Sequence, residues 1–135
     1  MNVREYIKQK KQEVIDDHLS SIKYQEFIKK NSNQIATLFT YYEYALMAVE
    51  TKFKVLNQEY SLIHDRNPIE SIKTRMKTID GVVEKVNRYN VPLTLESIEE
   101  NINDIAGVRV ICSFPEDIYT LAECLLEQDD VTLIQ

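Results

Sequence analysis

The chain has 135 residues, with 16 Lys+Arg against 22 Asp+Glu for a net charge of -6, and 44% of it is hydrophobic. That length holds one modest domain or a core with a helical appendage, and the acidic balance argues against general nucleic-acid binding through phosphates. No apolar run approaches the roughly 20 residues of a membrane span, and the charged start MNVREYIKQKKQEV lacks the apolar centre of a secretory signal. Cys112 and Cys124 lack metal-ligand spacing and fit reduced thiols, so a cytoplasmic protein without membrane association is expected.

The first half reads as helix. Val3, Tyr6, Ile7, Val14, Ile15, Leu19 and Ile22 recur near helical spacing, with Lys10 interrupting the stripe. Asn31-Ser32-Asn33 predicts a break, with Ser32 or Asn33 capping a second helix. In that second helix Leu38, Tyr42, Ala45, Val49, Phe53, Leu56, Tyr60 and Ile63 follow steps of three and four and share one face. Such a stripe packs on a core, binds a partner, or does both; a homo-oligomer is expected. Asn67-Pro68 ends the helix, giving a helical region at 1–66 and an α/β unit at 67–135. Charge divides at the same place: net +1 before residue 67 and net -7 from it onward. The few cations of the second half therefore stand out.

Beyond Pro68 the period changes. Residues 69–77 alternate as on a strand, with Lys73, Arg75 and Lys77 on one face and Ile72, Thr74 and Met76 on the other. Residues 78–89 read as a short helix with Val82, Val83 and Val86 inward and Lys85 and Arg88 among its polar positions, and Thr94–Ser97 opens another helical turn. DIAGVRVICSF, residues 104–114, reads as a buried central strand. Pro115 then starts a helix with Glu116 and Asp117 in the first turn, where acids suit the dipole. Its expected inner face is Ile118, Leu121, Ala122, Leu125 and Leu126, and Val131–Ile134 reads as a further strand. The fold class is α/β (α+β): N-terminal helices, then a partial mixed sheet flanked by helices. A sheet this small normally has more strands, so an incomplete domain is expected.

Two features suggest chemistry. Lys73, Arg75 and Lys77 would line about 13 Å of strand, the length of an extended polyphosphate, and Arg grips phosphate in a bidentate fork where Lys acts as a point charge. On pattern alone this equally describes an ordinary solvated strand face, the commoner case. The second feature is Asp104, at the entrance of an apolar strand that carries Arg109. A carboxylate there suits Mg²⁺, which takes few carboxylates and substrate phosphates; the alternative is a cap for the preceding turn. Gly107 marks a close backbone approach or a bulge. His18 and His64 lack ligand partners at metal spacing, and no GxGxxG, Walker, HExxH or Ser–His–Asp pattern occurs.

Three segments, TRMK with the helix holding Lys85, PLTLESIEENINDIAGVRVICSF, and FPEDIYTLAECL, together resemble the RelA/SpoT synthetase domain, in particular the small alarmone synthetases. The resemblance covers residues 68–135 closely and 35–67 loosely, and residues 1–34 show none. It implies a nucleotidyltransferase-like fold and a GTP pyrophosphokinase, which moves the β,γ-pyrophosphate of ATP to the 3′-hydroxyl of GDP or GTP with Mg²⁺. Residue by residue, it implies ATP-phosphate contacts from Arg75, Lys77 and Lys85, with Lys73 beside them, Arg109 in the same nucleotide pocket, and Asp104 as metal ligand. Gly81-Val82 stands where the family has Ser-Ile, which puts one phosphate contact in doubt. The family's Gly-Tyr-Arg and Glu-x-Gln elements and its hydrolase HD motif do not occur in these residues, so the chain alone is expected to be inactive in synthesis and hydrolysis. The competing reading is a non-catalytic nucleotide-binding or oligomerisation module.

Overall fold

In the computed structural model, which describes residues 2–134, the elements run α1 (Val3–His64), β1 (Ile69–Met76), α2 (Ile79–Arg88), α3 (Leu95–Asn101), β2 (Ala106–Cys112) and α4 (Pro115–Leu126). The chain is thus mixed α+β, as expected. It forms two compact units, each drawn from two stretches of sequence. One comprises the chain up to Leu38 with Ile79–Ile102; the other comprises Phe39–Thr78 and the chain from Asn103 onward.

α1 begins with a reciprocal cap. Glu5 N–H donates to Asn2 Oδ1 at 2.9 Å, and Asn2 N–H donates to the Glu5 carboxylate at 3.3 Å. The expected break at residues 31–33 is instead a kink, with only Asn31 leaving helical geometry. Its side-chain amide donates to the Phe27 carbonyl at 3.0 Å, so the bend satisfies a backbone acceptor locally and the helix resumes. At the far end Asp65 adopts a left-handed φ of 55°, and Pro68 prevents any continuation.

In the first unit, buried Phe27, Val82, Val83, Val86, Ile98 and Ile102 supply the apolar interior. α2 presents all three valines inward, as its pattern predicts. Thr94 caps α3, its hydroxyl accepting from Ser97 N–H at 3.1 Å. Tyr24 donates a hydrogen bond to Asp80 in the first turn of α2, and that bond raises the Tyr24 pKa. The apolar residues between Val3 and Ile22 are exposed along their length.

In the second unit, β1 and β2 pair antiparallel, and α4 packs on β2. Leu46, Ile69, Ile105 and Leu121 are its buried apolar residues. Three expectations need correction here. β2 is not a buried central strand: half-buried Ala106, Val108, Val110 and Cys112 alternate with exposed Gly107, Arg109 and Ile111, because α4 covers one face of the pair only. α4 buries Leu121 and half-buries Leu125 as expected, but Ile118, 54% exposed, Ala122 and Leu126 face outward and Asp117 is buried in their place. Residues 131–134 form no strand. The chain turns after α4, and Asp130 pairs with Lys52 at 2.9 Å, which holds its carboxyl below the usual range.

Candidate phosphate-binding face

The strand pair is pinned at one end before any cation is reached. Ile69 N–H donates to Asn57 Oδ1 at 3.1 Å, and Ser113 N–H donates to the Pro68 carbonyl at 2.9 Å. From there the register sets Lys73 opposite Arg109 and Arg75 opposite Gly107, and Lys77 N–H extends the ladder to the Ile105 carbonyl at 2.7 Å. Side chains directly opposite on an antiparallel pair share a face. Lys73, Arg75 and Arg109 therefore stand together on the open face, all three exposed, while Ile72 and Met76 sit half-buried on the other. Among the described residues none of the three is held in an ion pair. Two cations directly opposite one another disfavour the pairing of the strands, and an anion between them removes that repulsion.

The structure thus brings Lys73, Arg75 and Arg109 together, and it corrects the reason for Arg109. That guanidinium is not trapped inside an apolar strand; it belongs to the solvent face from the outset. At the end of the row Lys77, its side chain 13% exposed, pairs with Asp104 at 3.2 Å, whose side chain is 54% exposed. Asp104 therefore stands beside a cation at the edge of the face. Lys85 is carried by the other unit, in the last turn of α2, with its ammonium 5.4 Å from the Tyr89 ring centre. Arg88 follows it, 3.7 Å from Glu84.

As a metal ligand set this is sparse. No three His, Cys, Asp or Glu side chains cluster among the described residues. The half-exposed Asp104 carboxylate is a hard oxygen donor, which suits Mg²⁺ when phosphate oxygens fill most of the coordination shell. Burial pushes both thiols, Cys112 and Cys124, above the usual range, so neither is an activated nucleophile.

Sequence reasoning missed Arg66 and Asp117. Asp117 is buried, with a side chain 2% exposed, and Arg66 grips it through two hydrogen bonds of 2.7 and 2.9 Å. Arg66 also donates to the Tyr60 hydroxyl at 3.0 Å and lies 5.1 and 5.0 Å from the ring centres of Tyr60 and Phe114. The Arg66 hydrogen bonds hold the Asp117 carboxyl below the usual carboxylate range, and the same bonds raise Arg66. This cluster joins the end of α1 to the start of α4 and so fixes where β1 begins. Its sequence signal was an acid in the first turn of α4, which the dipole already explained.

Exposed cations thus line one face of a strand pair in a mixed α+β protein, with an ammonium–carboxylate pair at the end of the row. Residues 74–135 match the region found in RelA/SpoT proteins. The chain is 44% identical over 94 residues to the GTP pyrophosphokinase YwaC of Bacillus subtilis, covering 70% of this chain and 45% of that protein. Its fold matches the small alarmone synthetase 1 of Bacillus subtilis bound to AMPCPP, with a TM-score of 0.65 and 31% identity over 76% of this chain and 53% of that one. The same synthetase bound to its product pppGpp gives a TM-score of 0.66 at 31% identity, over 76% and 52%. The similarity to RelA/SpoT proteins is carried by residues 74–135 in sequence and by 76% of the chain in fold. It spans less than half the length of the curated relatives it matches, 45% and 43%. Among the described residues no helix is long and apolar enough to cross a membrane.

Proposed function

We propose that this chain supplies the ATP-phosphate side of a (p)ppGpp synthetase, a GTP pyrophosphokinase acting in the cytoplasm. The observation that carries the reading is the shared open face of Lys73, Arg75 and Arg109. Cations with no carboxylate partner on such a face favour a polyanion, and ATP is the polyanion that the relatives' chemistry requires. In the transfer, the 3′-oxygen of GDP or GTP bonds to the β-phosphorus of ATP. The bridge from that phosphorus to the α-phosphate breaks, AMP leaves with the bridging oxygen, and the hydroxyl proton is released. Such a reaction depends on position and charge rather than on a protein nucleophile.

In this scheme Arg75 and Arg109 hold phosphate oxygens in planar forks, and Lys73 and Lys77 add point charges. Lys85 is assigned to the same phosphates by family resemblance. Asp104 supplies one carboxylate to Mg²⁺, which when bound neutralises phosphate charge. One carboxylate is a thin metal site, and among the described residues no three His, Cys, Asp or Glu side chains cluster. The 135 residues by themselves are accordingly proposed to bind the donor without completing the transfer. Self-association is part of the same reading: Tyr41, Tyr44, Val55 and Leu62 are exposed on α1 at spacings that continue one stripe.

The test is titration calorimetry of AMPCPP with Mg²⁺ on this chain and on Arg75→Ala, beside a product assay with ATP, GTP and Mg²⁺. Binding that Arg75→Ala weakens by roughly tenfold or more, without ppGpp formation, supports the assignment. Equal binding by both proteins removes the face from the mechanism, and ppGpp made by the chain alone removes the claim that it is insufficient. Light scattering that returns the mass of one chain at high concentration removes the self-association.

A further inference from the structure

Gly107 occupies the fourth corner of the cationic face. Lys73 and Arg75 lie along β1, Arg109 stands opposite Lys73, and the residue opposite Arg75 has no side chain. Glycine in the middle of a strand weakens it, so its presence needs a reason. The usual reasons fail here. The backbone does not require it, since among the described residues no glycine has a positive φ. A bulge does not require it, because the register shift lies between Ile69 and Ser71, and the pairing from Lys73–Arg109 to Met76–Ala106 is regular. Packing does not require it either: a Cβ built on Gly107 meets nothing within 4 Å.

What remains is a requirement from outside the free chain. An exposed strand position with open space above it suits any β-forming residue, and a bare one lets something lie against the backbone. The residue opposite it, Arg75, and the next one along β2 on this face, Arg109, are both cations. We propose that Gly107 is the floor on which the polyphosphate chain of the nucleotide rests, kept bare so that phosphates crossing from Arg75 to Arg109 reach both forks. This rests on the reading of the face as the ATP-phosphate side. It adds a residue that contributes through the side chain it lacks, and it predicts opposite signs for stability and binding. A methyl group at this position fits the free strand and obstructs the bound ligand.

The experiment compares wild type, Gly107→Ala, Gly107→Val and Arg75→Ala, each as the full 135-residue chain. Thermal unfolding and AMPCPP affinity with Mg²⁺ are measured on all four. The expected result is a Tm for both glycine variants equal to or above that of wild type. Affinity falls about tenfold for Gly107→Ala, as for loss of one charged phosphate contact, and further for Gly107→Val. A lowered Tm in Gly107→Ala overturns the proposal, because the fold then needs the glycine. Unchanged affinity in Gly107→Ala alongside weakened Arg75→Ala also overturns it, while leaving the cationic face intact. If Arg75→Ala binds like wild type, or wild type does not bind at all, the reading of the face fails and takes this proposal with it.

Discussion

Arg66 precedes the strand that carries Arg75, and the two have opposite fates. Arg66, just before β1, is tied by two hydrogen bonds to a buried aspartate and lies near two aromatic rings. Arg75, inside β1, stands on an open face beside other cations, opposite a glycine. A guanidinium whose donors are consumed by a carboxylate is a structural tie. One left beside like charges on an open face keeps its donors for an anion. The sequence shows two arginines on either side of the Asn67-Pro68 boundary; only their partners separate the roles.

The largest expected effect tests the open arginine. Arg75→Ala should weaken AMPCPP binding by roughly ten- to hundredfold, the range for a charge-assisted hydrogen bond of about 1.5–3 kcal/mol. Its stability should stay within about 0.5 kcal/mol of wild type, as for an exposed surface position. Calorimetry and urea unfolding measure the two. A large loss of stability in Arg75→Ala would erase the contrast with Arg66.

The tied arginine should behave in reverse. Asp117→Asn keeps the shape of the side chain but removes its charge, so the Tm should fall clearly further than in Arg75→Ala. Binding should weaken only so far as the strand pair loosens. A Tm equal to wild type would show that the Arg66–Asp117 contact does not hold the second unit.

Acid unfolding sharpens the same point. The folded pKa of Asp117 lies below its unfolded value, as does that of Asp130. Their stabilisation is therefore present above the ordinary aspartate pKa of about 3.9. It is lost as pH falls below that point through the folded values. Wild type should accordingly lose Tm steeply below about pH 4, and Asp117→Asn less steeply. Matching slopes would place the acid-sensitive stability elsewhere.

The smallest effect serves as a control in the other unit. Thr94→Ala removes the cap of α3 and should cost about 1 kcal/mol by chemical denaturation. Because it touches neither arginine, AMPCPP affinity should remain that of wild type. A binding loss there would mean that the donor face depends on α3.

Much of the fold was legible. The alternation of residues 69–77, the valines of α2, the Pro115 start of α4 and the stop at Asn67-Pro68 all follow from local periodicity and backbone chemistry. A kink replaces the expected break at Asn31 because an asparagine cluster bends a helix as readily as it caps one. The last strand failed because an apolar tetrapeptide becomes a strand only when a neighbour offers its edge. The exposure of β2 was misjudged for a related reason: an apolar run fixes strand geometry but not how many of its faces are covered.

For the candidate site, sequence by itself determined which cations lie on one side of β1 and that Asp104 stands at the entrance of the next strand with Arg109 inside it. Tertiary structure decided which of them meet. Register is a non-local quantity, and the anchored pairing of β1 with β2 sets Lys73 against Arg109 and leaves Arg75 facing Gly107. It likewise gave Asp117 to Arg66 and Asp104 to Lys77. Periodicity fixes the direction of a side chain relative to its own element, whereas a charge takes its role from the group that the fold brings opposite it.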